Sequence, residues 1–137
     1  MTRPITNRSL VYRMVSFLLL SLLSVASWAD VAVISQQTLI DKMANNTPLL
    51  ILDVRSPEEY SEGHVPSAIN IPHTEVKQQL SLIKQAAKDG KQIVVYCRSG
   101  RRAGYAEEVL QASGIQSLLH LEGDMIAWSK NNQPIEQ

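Results

Sequence analysis

The stretch Gln92-Ile93-Val94-Val95-Tyr96-Cys97-Arg98-Ser99-Gly100-Arg101-Arg102 runs from a strand-length apolar segment into a short polar loop. Ile93 to Tyr96 are apolar or aromatic and rich in β-branched side chains, as expected of a strand buried on both faces. Gly100 allows a tight turn. From Arg101 or Arg102 a helical stretch continues to Ser113, where Gly114 closes it. The chain thus carries Cys97 to the carboxyl end of a strand, immediately before a helix N-terminus.

Outward from this unit, short apolar runs alternate with stretches of helical period. Residues 31–34 predict a short strand, and Ser35 caps a helix to about Ala44 with Leu39, Ile40 and Met43 on one face. Leu49-Leu50-Ile51-Leu52 predicts a buried strand bounded by Pro48 and Asp53. Ser56-Pro57-Glu58-Glu59 combines a cap, a proline at the first helical position and acids in the first turn, and Gly63 ends that helix. Residues 68–71 predict a strand closed by Pro72, residues 74–88 the longest helix, residues 117–121 a last strand and residues 124–130 a last helix. This alternation predicts an α/β fold: a parallel central sheet with helices on both faces, reactive groups lying at the carboxyl ends of its strands.

The 137 residues carry 13 basic and 13 acidic side chains, so the formal net charge is zero and no basic excess suits nucleic acid. The balance is uneven along the chain. Residues 1–29 hold Arg3, Arg8 and Arg13 and no acid, then an apolar run from Met14 to Ala26, then Ser27-Trp28-Ala29. That layout predicts a cleavable secretory signal peptide over 1–29, since the run is short for a span of about 20 residues and small residues flank Trp28. No cysteine for lipidation and no Arg-Arg pair accompany it, so an ordinary export route to the periplasm is expected. The remaining residues 30–137 form one domain of 108 residues with 10 basic and 13 acidic side chains, a net charge of −3. No membrane is expected as a partner once the leader is removed.

Cys97 is the single cysteine, so it cannot form an internal disulfide, and with three scattered histidines no metal site is expected. An unpaired thiol is unusual in an oxidising compartment, which points to chemistry. Arg98, Arg101, Arg102 and the helix N-terminus favour thiolate, the nucleophilic form. Gly100 lets successive backbone N–H groups form a nest for an anion, with Arg98, Ser99, Gly100, Arg101 and Arg102 as substrate-binding candidates. Arginine is disfavoured by the dipole in a first helical turn, so Arg101 and Arg102 call for a functional reason.

At these residues the chain resembles the rhodanese family of sulfurtransferases. The matching segments are Leu52-Asp-Val-Arg55 with Ser56-Pro-Glu-Glu-Tyr60, Gly63-His-Val-Pro-Ser-Ala-Ile-Asn-Ile-Pro72, Val95-Tyr-Cys-Arg-Ser-Gly-Arg-Arg-Ala103 and Leu121-Glu-Gly-Asp-Met-Ile-Ala-Trp128. They span nearly all of residues 30–137, and with the leader the chain looks like the small single-domain periplasmic members. One departure stands out: many members have Gly-Gly where this chain has Gly123-Asp124.

The resemblance implies a thiosulfate sulfurtransferase without cofactor. Cys97 would take the outer sulfur of a small anionic donor such as thiosulfate, hold it as a persulfide, and pass it to cyanide, a small thiol or a protein thiol. Arg102 is the first choice for contact with the donor and Arg98 the second. Asp53, Arg55 and His64 read as supporting residues: Asp53 and Arg55 paired with neighbours such as Glu59, His64 hydrogen-bonded in its turn. His73 and His120 carry no ligand spacing, and Trp128 belongs to the core. A partner-dependent sulfur relay is the main alternative. Cysteine phosphatases and arsenate reductases share the thiolate, loop and arginine, but a phosphatase needs arginine six positions after the cysteine, where Ala103 stands.

Overall fold

A computed structural model of the chain describes residues 30–137; the leader expected over 1–29 lies outside the described residues. Five strands, β1 (Ala32–Ile34), β2 (Leu49–Asp53), β3 (Ile69–Asn70), β4 (Gln92–Tyr96) and β5 (Leu118–Leu121), form one sheet in the order β1-β5-β4-β2-β3. Every pairing in it is parallel. Five helices connect and cover the strands: α1 (Gln36–Ala44), α2 (Pro57–Glu62), α3 (Leu80–Lys88), α4 (Arg101–Ala112) and α5 (Asp124–Lys130).

The pleat of β4 sorts its side chains to two cores. Ile93, Val95 and Cys97 pack with Ile83 of α3 and Ala103, Ala106 and Leu110 of α4. Val94 and Tyr96 point the other way, to Leu39 of α1 and Met125 and Trp128 of α5. A strand covered on both faces must be apolar throughout, which is how its sequence reads. Cys97, the first residue after β4, therefore lies on the face covered by α3 and α4.

Two expectations are corrected. The helix expected over 74–88, and expected to be the longest, begins only at Leu80 and has 9 residues, fewer than the 12 of α4. Residues 73–79 form tighter turns instead, with Glu75 N–H donating to Pro72 O and Gln79 N–H to both Glu75 O and Val76 O. Val76 is still completely buried, so the core contact that the helical stripe anticipates is made from turns rather than from a helix. The strand expected over 68–71 is reduced to Ile69–Asn70, because Ala68 N–H turns back onto Val65 O.

Candidate active site

The loop after β4 is shaped by what its carbonyls and amides bind. Cys97 O accepts from Met125 N–H at 3.0 Å and Arg98 O from Ile126 N–H at 3.1 Å, so the first turn of α5 holds both carbonyls. On the other side Gly100 N–H donates to Cys97 Sγ at 3.0 Å. Gly100 has φ +99°, and a Cβ there would lie 3.2 Å from Asp124 Oδ2, so both its conformation and its surroundings ask for glycine. Cys97 itself is 1% exposed.

The three arginines divide. Arg102 forms a bidentate ion pair with Glu59 of α2, at 2.6 Å and 2.8 Å. This bond, first of all, holds the Glu59 carboxyl down at about 2, and the same pair raises Arg102, to which the adjacent Cys97 adds. Arg102 is thus the arginine that the fold sets beside the sulfur. Arg101 is exposed and lies along Tyr105, its Nε 3.4 Å from the phenol oxygen. Arg98 and Ser99 are exposed on the loop.

Asp53, Arg55 and Tyr96 brace the carboxyl edge of the sheet from beneath. Asp53 is fully buried and accepts from Arg55 Nε and Nη2 and from the Tyr96 hydroxyl at 2.7 Å. Arg55 also reaches Gly63 O at 2.8 Å, and the Tyr96 hydroxyl accepts from Val65 N–H. Burial, and then the Asp53 charge, pushes the Tyr96 hydroxyl well above its ordinary range. Glu59 makes its ion pair with Arg102 and, as expected, also lies within electrostatic reach of Arg55. His64 donates to Tyr60 O through Nδ1 at 2.9 Å and stacks on the Tyr60 ring at 3.7 Å.

His120, which carries no ligand spacing, is held between two carboxylates. Its Nδ1 lies 2.6 Å from Glu107 of α4 and its Nε2 3.1 Å from Asp124, and these bonds, that to Asp124 first, push it up to about 10. Asp124 in turn accepts from Cys97 N–H at 2.8 Å. The two carboxylates bind opposite nitrogens of one ring and do not converge, and among the described residues no group of His, Cys, Asp and Glu could hold a metal ion. Glu107 and His120 had no motif to mark them, the His120/Asp124 spacing of four being the available signal, and Tyr96 lay within a matching segment but was not singled out.

A rhodanese-like domain model matches residues 35–131. A sulfurtransferase of Allochromatium vinosum is 33% identical over 102 residues, covering 74% of this chain and 92% of its own. The thiosulfate sulfurtransferase PspE of Escherichia coli is 43% identical over 63 residues, 46% of this chain and 59% of its own. Other curated relatives, among them tRNA uridine(34) hydroxylases, are longer, and the match spans between 26% and 51% of their length. Among solved structures, a rhodanese-related protein from Thermoplasma volcanium superimposes with a TM-score of 0.65 at 26% identity, covering 77% of this chain and 97% of its own.

Proposed function

The chain belongs to the rhodanese-like domain family of sulfurtransferases, and we propose that it moves sulfane sulfur from thiosulfate or a similar small anionic donor to a thiophilic acceptor through a Cys97 persulfide. The observation that carries this reading is the Gly100 N–H aimed at Cys97 Sγ, in a loop whose first carbonyls are turned to α5. Such a loop presents donors, not acceptors, to a negatively charged sulfur.

In the proposed reaction the Cys97 thiolate attacks the outer sulfur of thiosulfate. The donor's S–S bond breaks and sulfite leaves with the bonding pair, so the two negative charges of thiosulfate depart on sulfite and the single charge of the thiolate passes to the persulfide. An acceptor, cyanide or a thiolate, then attacks the terminal sulfur and restores the Cys97 thiolate. Arg102 attracts the dianionic donor: its fork of five N–H groups keeps capacity for an anion while Glu59 takes two. Arg98 and Arg101 add positive charge at the mouth.

The reading includes export. A leader over 1–29 would deliver residues 30–137 to the periplasm, and among the described residues no helix is long and apolar enough to cross a membrane.

Intact mass spectrometry of the purified chain before and after thiosulfate tests the chemistry, with Cys97→Ser alongside. A gain of one sulfur, about 32 Da, only where Cys97 is present is the expected result. A folded chain that never gains sulfur overturns thiosulfate as donor.

A further inference from the structure

Asp124 occupies a backbone conformation that suits glycine, with φ +52°. Side chains seldom tolerate this region, although aspartate does so more readily than most. The residue is nevertheless 3% exposed, and both of its carboxylate oxygens are engaged. Oδ1 accepts from Cys97 N–H at 2.8 Å, and Oδ2 faces His120 Nε2 at 3.1 Å and the flank of Gly100. Behind it, Glu107 of α4 takes the other nitrogen of His120.

One carboxylate therefore touches the Cys97 loop at both ends: at the amide of the residue that carries the sulfur, and against the glycine whose N–H reaches that sulfur. A buried carboxylate needs a compensating charge, and the His120 ring, itself shared with Glu107, is placed to supply it. A glycine at position 124 would fit the backbone better and would make none of these contacts.

We infer that Asp124 is a positioning residue of the Cys97 loop, its carboxylate aimed by His120 and Glu107 so that the Cys97 amide is fixed and the Gly100 N–H stays on the sulfur. The inference rests on the reading of Cys97 as a sulfur carrier. Asp124 touches no donor atom in it and acts through the loop.

Two substitutions separate anchoring from charge. Asp124→Asn and Asp124→Gly remove the same negative charge, both suit the backbone, and only asparagine keeps an oxygen for the Cys97 N–H. Two quantities are read in the full chain: hydrogen exchange of the Cys97 amide by NMR, and the single-turnover rate of sulfur gain from thiosulfate. In Asp124→Gly, exchange accelerates at least about tenfold and the rate at saturating thiosulfate falls roughly ten- to hundredfold, the scale of one lost hydrogen bond to a charged group. The half-saturating thiosulfate concentration shifts less than about threefold, because the arginines that attract the donor are untouched. Asp124→Asn restores both exchange and rate to within about threefold of the unaltered chain.

His120→Gln, which leaves the Asp124 backbone alone, accelerates exchange in the same direction. Unchanged exchange in both Asp124→Gly and His120→Gln overturns the assignment, as does an asparagine variant no better than glycine, which would assign the effect to charge. If the unaltered chain gains no sulfur from thiosulfate, the donor reading fails, while amide exchange still decides whether Asp124 anchors the loop.

Discussion

Cys97 directly follows a strand buried on both faces, so its position is set by the pleat of β4 and its surroundings by two helix starts. Arg102, on the first turn of α4, lies within interaction range of Cys97, and its pairing with Glu59 fixes its direction. Truncation to Arg102→Ala removes one charge-assisted contact of about 1.5–3 kcal/mol, so kcat/KM for thiosulfate should fall roughly ten- to hundredfold. Arg102→Lys keeps the charge and loses the planar fork, and should fall between the two. Steady-state kinetics across thiosulfate concentration decide this, and an unchanged kcat/KM in Arg102→Ala would remove Arg102 from the donor site.

Among the elements, α2 shows how a local signal acquires a distant use. Ser56 and Glu59 form a capping box, Ser56 accepting from Glu59 N–H and the Glu59 carboxylate from Ser56 N–H. The same carboxylate then reaches across to Arg102, 43 residues on. Its pKa is depressed to about 2, chiefly by the Arg102 hydrogen bond, from an ordinary 4.5. A group depressed on folding contributes stability that is complete above its unfolded value and is lost as pH falls through its folded one. Thermal unfolding followed from pH 5 down toward pH 2 should therefore show a steeper loss of Tm in the unaltered chain than in Glu59→Gln. Parallel curves would mean that the ion pair adds nothing. The segment before α3 behaves oppositely: Val76, Leu80 and Ile83 share a helical stripe in sequence, yet Val76 reaches the core from a run of turns.

For the molecule as a whole, separate networks of polar side chains brace the sheet and the elements around it. Asp53 is the buried centre of one network, and Asp53→Ala would leave Arg55 without its carboxylate and the Tyr96 hydroxyl without its acceptor. Removing one partner of a buried pair costs about 3–5 kcal/mol, so the urea midpoint should drop with little change in slope. His120 joins β5, α4 and α5 through Glu107 and Asp124, and its raised pKa carries the opposite sign to that of Glu59. Stability from a raised base is complete below 6.5 and is lost as pH rises toward about 10. The unaltered chain should lose Tm across that window and His120→Gln should not; a flat curve in the unaltered chain would refute the coupling.

The order of strands and helices, the placing of Cys97 at a strand end, and the cap at Ser56 were all legible in the sequence, because each depends on side chains within a few residues of one another. Gly123-Asp124 was visible there only as a departure from a pattern. Which arginine stands beside the sulfur, and that Asp124 meets the Cys97 amide, were decided by tertiary structure. The parallel pairing of β4 with β5 sets His120 opposite Val95, which brings Asp124 to a loop 27 residues earlier. The pairing of β2 with β4 brings Asp53 opposite Tyr96, and α2 follows it to face α4. Local pattern specifies which residues form a strand, whereas contacts between distant side chains depend on which strands lie side by side, and no residue's near neighbours encode that.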